Sequence, residues 1–172
     1  MHLIHQTVPS FGRGDPENPP VFPTNSGCYR LNILGAYNPA AYDLLHHTGE
    51  ANCDAGQVIV FFEKILKKYR DSSFIVLYAD NAPYFHARKV AEWLEKHPEI
   101  IIRFLPPYAP NLNLIERLRR FVKKKLVKNK YVKEYKTFRC LAFRLLNNIS
   151  KYKNELITLM TEKFEIVTYI KG

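Results

Sequence analysis

The sequence predicts an α/β layer fold in which a mixed sheet is flanked by helices, and three observations predict it. Two short apolar runs rich in β-branched residues, 73–79 (SFIVLYA) and 100–105 (IIIRFL), have the length and composition of buried strands. Apolar residues at helical spacing precede, separate and follow them, so helices cross over between parallel strands. A third region, 28–47, alternates on either side of a turn and reads as an antiparallel hairpin at the other side of the sheet.

In chain order, residues 1–8 (MHLIHQTV) read as a strand. Residues 9–27 are rich in Pro, Gly and Asn, which suits an extended loop. Cys28 to Tyr37 forms a strand, Asn38-Pro39-Ala40-Ala41 turns it back, and Tyr42 to His47 completes the hairpin. Asp54 is placed to cap a helix whose apolar stripe is Val58, Phe61, Phe62, Ile65, Leu66 and Tyr69. The 73–79 strand delivers Asp80, and Asn81-Ala82-Pro83 leads into a helix with Val90, Trp93 and Leu94 inward. Pro98 ends that helix and the 100–105 strand follows, stopped by Pro106 and Pro107, which donate nothing to a ladder. Asn111 or Asn113 can cap the next helix, in which Leu114, Ile115, Leu118, Phe121, Val122 and Leu126 recur at helical spacing. Residues 131–170 are predicted mainly helical, with a stripe of Phe138, Leu141, Ala142, Leu145, Leu146 and Ile149.

A chain of 172 residues is long enough for one domain with its own core. The expected organisation is a single domain over 1–172, with 131–172 as its C-terminal helical extension. No apolar run approaches the roughly 20 residues needed to span a bilayer, and no signal peptide is evident. Cys28, Cys53 and Cys140 lack metal-site or disulfide spacing and read as reduced thiols. No membrane partner and a cytoplasmic, nucleoid-associated location are therefore expected.

The net charge of +10 is unevenly placed: residues 1–100 hold nine Lys/Arg against eleven Asp/Glu, and residues 101–172 hold seventeen against five. A half at +12 beside a half at −2 points to a polyanionic partner, most simply nucleic acid. The candidate contacts are Arg117, Arg119, Arg120, Lys123, Lys124, Lys125 and Lys128 on the helix after Pro110. A merely solvated face interleaves both signs, yet between Arg117 and Arg144 the only acid is Glu134.

Asp80 ends one strand and Glu116 opens the helix after the neighbouring strand. In open α/β sheets, ligands gather at the carboxyl ends of strands, so the two acids can converge on one edge. Two carboxylates suit Mg²⁺, which takes oxygen ligands and is held by one or two carboxylates plus phosphate oxygens. Alone, Glu116 could be a first-turn acid answering the helix dipole and Asp80 a helix cap; beside a basic helix, metal binding is the stronger reading. His2 and His5 point to opposite faces of a strand, His46 and His47 face solvent, and His86 suits a helix-surface or packing role.

Residues 78–86 (YADNAPYFH) and 105–116 (LPPYAPNLNLIE) closely resemble the second and third acid motifs of DDE transposases, in the bacterial insertion-sequence branch of the mariner superfamily. Residues 23–36 (PTNSGCYRLNILGA) resemble the strand region after that branch's first motif. The resemblance covers nearly the whole chain, and the stretch from Leu-Pro-Pro-Tyr to Ile-Glu is its most specific part. It implies a ribonuclease-H-like fold, in which three acids hold two Mg²⁺ or Mn²⁺ ions. Asp80 corresponds to the second acid and Glu116 to the third, and their separation of 36 positions fits that branch.

Departures from the family pattern shape the expectation. The family's first acid, which is expected to touch both ions, lies just upstream of the segment resembling His2 to Val8, and its helix-turn-helix DNA-binding region lies further upstream. Arg119 stands where relatives commonly have Trp, and Arg13 where they often have an aromatic residue. Asp15, Glu17 and Asp43 fall in loops or the hairpin and are not promoted to the first acid. The expectation is thus the catalytic domain of a DNA transposase, truncated at the start of its first strand. That family cleaves phosphodiester bonds and transfers strands in insertion-sequence transposition, with metal. This fragment is expected to be inactive. The other reading is a non-enzymatic remnant that binds nucleic acid. The implied partners are transposon-end and target DNA, with room for the upstream half of a split transposase and for a second copy of the chain.

Overall fold

The computed structural model describes residues 1–8, 21, 23–49, 52–106, 114–128 and 130–160. The elements run β1 (His2–Ile4), β2 (Arg30–Asn38), β3 (Asp43–Gly49), α1 (Ala55–Lys68), β4 (Ile75–Ala79), α2 (Arg88–Glu95), β5 (Ile100–Phe104), α3 (Leu114–Leu126), α4 (Tyr135–Asn147) and α5 (Lys153–Met160). Short 3₁₀ turns at Pro83–His86 and Ile149–Tyr152 lead into α2 and α5. The Asn111 and Asn113 caps and the positions of Arg13, Asp15 and Glu17 lie outside the described residues.

Paired strands fall into two groups among the described residues. β1–β2–β3 is antiparallel and β4–β5 is parallel, which gives the mixed character expected. β1 is shorter than the eight-residue strand expected from the sequence. It pairs with β2 on one side, and no ladder joins it to β4 among the described residues. After Ile4 the chain bends away: Gln6 N bonds back to Ile4 O, and Val8 makes a lone parallel bridge to Lys128.

The alternation of β2 and β3 divides the core into two layers. Leu31, Ile33 and Leu44 face one way, into a cluster with Leu118, Phe121, Val122, Phe138, Leu146 and Leu156 of α3, α4 and α5. Leu34, Ala36 and Leu45 face the other way, against Val58, Phe61, Phe62 and Ile65 of α1, Val90 of α2 and Ile100 of β5. Successive strand side chains point to opposite faces, so one hairpin serves both helical layers. Phe62 and Phe138 are each 2% exposed; full burial of such a side chain stabilises by about 1.5–3 kcal/mol.

The predicted cap is present. Asp54 is extended (φ −125°), and its Oδ1 accepts from Gln57 N at 2.8 Å, satisfying one of the orphan donors of α1. The first turn of α3 is seated over Gly35, where a Cβ would meet Leu44 Cδ1 at 3.3 Å and Ile115 Cδ1 at 3.8 Å.

His46 and His47 do not face solvent as expected. His46 Nε2 meets Asn147 Oδ1 at 2.8 Å and its ring stacks near Phe143 of α4, while His47 lies between Gln57 and Lys64 of α1. β3 is an edge strand of its ladder, but helices cover both of its faces, so each imidazole is caught between sheet and helix.

Candidate nuclease site

Asp80 follows directly on β4. Its position is set by the sheet: Leu105 N donates to Ala79 O at 2.9 Å, and Asn81 Nδ2 donates to Leu105 O at 3.0 Å, so the ends of β4 and β5 are laced together on either side of it. Asp80 caps neither following helical segment, because the cap residues are Ala82 and Ala87. The carboxylate is exposed and takes no hydrogen bond or ion pair among the described residues.

Glu116 stands in the first turn of α3, one-third exposed. Arg119, one helical turn on, donates from Nη1 to both of its oxygens, at 3.1 and 3.2 Å. The amino end of the chain is tied to β2. Met1 N donates to Ile33 O at 2.7 Å, and Ile33 N returns a bond to Met1 O at 2.8 Å. Burial holds the Met1 ammonium below its ordinary pKa; Arg119 lowers it further, while Cys53, Asp80 and Glu116 act the other way. One ammonium is thus within electrostatic reach of both acids, although they are 36 positions apart in sequence.

Two further groups complete the surroundings of Asp80. The Tyr84 phenol is pushed up to about 12, by burial first and then by Asp80 and Cys53. The Cys53 thiol is raised, chiefly by burial, with Asp54 and Asp80 adding to it and the amino terminus opposing. Both therefore remain protonated at neutral pH. Composition offered no signal for Cys53, and Tyr84 sits four residues past Asp80 in a motif read for its acid. His86 is exposed and stacks on Phe104 at the same sheet end, with centroids 4.3 Å apart.

Among the described residues no group of three His, Cys, Asp or Glu is close enough to hold a metal ion. Asp80 and Glu116 offer four carboxylate oxygens, one pair free and one pair engaged by Arg119.

The basic residues of α3 are not equivalent. Arg119 is held by Glu116. Arg117 Nη1 donates to Leu159 O of α5 at 3.4 Å. Lys125 donates to Glu155 at 2.8 Å and lies over the rings of Phe121 and Tyr152, with Nζ 5.4 and 4.9 Å from their centroids. Lys123 is half-buried, and Arg120, Lys124 and Lys128 are exposed. No described helix is long and apolar enough to cross a membrane.

Comparison with known proteins agrees with the fold. Residues 5–139 match the family model of the DDE superfamily endonucleases. Over 77 residues the chain is 31% identical to the uncharacterised 39 kDa protein of insertion element IS630 from Shigella sonnei, a match covering 41% of this chain and 22% of that protein. Among solved structures, the mariner Mos1 paired-end complex with Mg matches with a TM-score of 0.65 at 14% identity, over 92% of this chain and 50% of that one. The Mos1 strand transfer complex matches with a TM-score of 0.60 at 13% identity, over 96% and 53%. The chain spans about half the length of the solved proteins it matches. The likeness to those structures gives the chain a ribonuclease-H-like α/β fold, and a family match over most of its length places it in the DDE superfamily of endonucleases.

Proposed function

We propose that this chain is the catalytic domain of a DNA transposase, built for metal-dependent phosphodiester cleavage and strand transfer on transposon ends and target DNA. The observation that supports the reading is the placement of Asp80 at the carboxyl end of β4 and of Glu116 in the first turn of the helix that follows β5, within a family match over residues 5–139. The whole of 1–172 acts as one domain, with α4 and α5 packed into its first core. Its site of action is the cytoplasm, on chromosomal DNA, and the partners proposed beyond DNA are an upstream transposase segment and a second copy of the chain.

Asp80 and Glu116 are the proposed ligands of Mg²⁺ or Mn²⁺, which when bound stabilises charge on a phosphate and activates water. The protein supplies position. The Asn81–Leu105 bond ties down the strand end that presents Asp80, and the first turn of α3 carries Glu116 with Arg119 against it. Tyr84, protonated at working pH, presents a donor beside Asp80 that suits a phosphate oxygen. The exposed cations Arg120 and Lys124 of α3, with Lys128 just past its end, neutralise backbone phosphates and carry no base preference.

Two ions about 3.5–4 Å apart clamp the attacking and leaving oxygens in such chemistry, and a pair that close needs a bridging carboxylate. The 172-residue chain by itself is therefore proposed not to cut DNA. The ion pair from Arg119 to Glu116 also favours the second reading, a nucleic-acid-binding remnant without catalysis. A plasmid-nicking assay with Mg²⁺ or Mn²⁺ separates the two. The chain alone should be silent. The chain extended before Met1 by a strand carrying an Asp should nick, and Asp80→Ala or Glu116→Ala should abolish that activity. Cleavage by the unextended chain that depends on Asp80 would mean another residue supplies the third acid. Silence of the extended chain supports the remnant, and activity that survives Glu116→Ala removes Glu116 from the ligand set.

A further inference from the structure

At the other end of β1 from Met1, Ile4, Gly27, Cys28, Tyr29, Arg30 and Tyr135 line a surface hollow of about 450 Å³. Ile4 pairs with Arg30, whereas Met1 bonds to Ile33. Three strand positions, roughly 10 Å, therefore separate this hollow from the acid end. Cavities that accept small ligands measure about 300–1,000 Å³.

The wall is aromatic and braced. Tyr29 and Tyr135 stack with centroids 4.8 Å apart and planes 16° from parallel. Tyr135 is held from behind by Phe138 and His5, with centroids at 6.3 and 5.8 Å, and its hydroxyl donates to Arg30 O at 3.4 Å. Tyr29 has one face against Tyr135 and is still 58% exposed. Gly27 opens the rim at φ +73°, where an L side chain would be strained. The Arg30 guanidinium is bonded to the neutral carboxamide of Asn52, so its charge is not cancelled there. Tyr135 itself follows Lys133 and Glu134 and precedes Lys136, all exposed.

We propose that this hollow takes an unpaired nucleobase, stacked on Tyr29, with the adjoining phosphate at Arg30. A rigid π face beside a cation is the arrangement by which single strands are held with little sequence preference. An apolar peptide would not need the cation, and a bare phosphate would not need the stacked rings. The proposal rests on the reading of this domain as one that acts on DNA, and it gives that domain a contact for unpaired strand away from the acids.

The test is fluorescence anisotropy of the 172-residue chain with three labelled probes: a thymidine oligonucleotide, an abasic oligonucleotide of the same length, and a duplex. The parent should bind the thymidine strand about tenfold or more tighter than the abasic one, since stacking on an aromatic contributes about 1–3 kcal/mol per base. Tyr29→Leu should bring that ratio near one without changing affinity for the abasic strand or the duplex, and Tyr29→Trp should retain it. A ratio near one in the parent, or a ratio unchanged in Tyr29→Leu, overturns the base site. Unchanged duplex binding in that case leaves the DNA reading intact, whereas failure to bind any probe overturns both. The near-ultraviolet signal of Trp93, in the other core layer, reports whether each variant is folded.

Discussion

Arg119 grips Glu116: one guanidinium nitrogen lies 3.1 Å from one carboxylate oxygen and 3.2 Å from the other, within a single turn of α3. A carboxylate already answered by a cation is a poorer ligand for a second one. Half-exposed pairs of this kind contribute about 0.2–1 kcal/mol, which sets the scale of the competition. Arg119→Ala should therefore tighten Mn²⁺ binding by roughly two- to fivefold, measured by titration calorimetry, with little change in melting temperature. Unchanged or weaker binding would show that Glu116 and the metal do not meet.

Charge reversal on α3 should depend on position. Arg120→Glu, Lys124→Glu and Lys128→Glu alter exposed side chains. Together they should weaken duplex binding and reduce the log–log salt slope by about 0.9 for each phosphate no longer neutralised. Lys125→Glu should behave differently, because it gives up the bond to Glu155 and the place over two rings, and sets two acids face to face. The expected cost is about 1 kcal/mol of stability, read from urea denaturation. A Lys125→Glu variant as stable as the parent would show that the α3–α5 bridge carries no weight.

Asp54→Ala should lower stability by about 1 kcal/mol, since Gln57 N would lose its 2.8 Å acceptor at the start of α1. In a domain of this size that corresponds to a fall of roughly 2–4 °C in melting temperature. Asp54→Ser, which can accept the same bond, should recover most of the loss. An unchanged melting temperature in the Ala variant would make the cap dispensable.

What the sequence revealed and what it hid divide along physical lines. The Asp54 cap and the stripe of α1 are local: a short acceptor and a 3.6-residue period suffice to specify them. The placement of Asp80 at the end of β4 and of Glu116 in the first turn of α3 was legible because apolar strand runs and prolines bracket those positions. Cys53 and Tyr84 were not, because they reach Asp80 only through tertiary packing that no period encodes. The engagement of Lys125 with Glu155 spans 30 positions and was equally invisible. His46 and His47 were misjudged for a related reason: adjacency in sequence suggested an exposed pair, but a strand packed by helices on both faces leaves each only partly exposed and hydrogen-bonded.

His46 gives a pH prediction. Burial holds its pKa below the usual histidine value, with Lys64 and His47 adding to the effect and Asn147 opposing it. Its Nδ1 is buried without a partner among the described residues. The folded state thus prefers neutral imidazole, and below the unfolded value near 6.5 the unfolded chain binds the extra proton. With more protons on the unfolded side, stability rises with pH through that window and falls as pH drops below it. His46→Gln should flatten this part of the profile relative to the parent, in thermal melts from acid to neutral pH. A profile that keeps its slope would assign the titration to other groups.

The last prediction concerns the break between the two ladders. β1 has three paired residues, among the described residues its one ladder is with β2, and Met1 already bonds Ile33 just beyond it. A strand continued backward from Met1 would lie along β4, and its inward residues would add to the layer holding Val58, Phe62 and Ile100. Each buried large apolar side chain contributes about 1.5–3 kcal/mol, against about 1–2 kcal/mol of backbone entropy for each residue ordered. New ladder bonds on both edges add to the favourable side. A handful of added apolar strand residues should therefore stabilise the fold by a few kcal/mol and raise the melting temperature by several degrees. Slowed amide exchange in β4 should accompany the gain, because its free edge acquires partners. The same extension with a Pro at its centre should lose both effects, since Pro cannot donate to the ladder. A rise in melting temperature that survives the Pro, or no protection of Val76 and Tyr78, would place the added residues somewhere other than between β2 and β4.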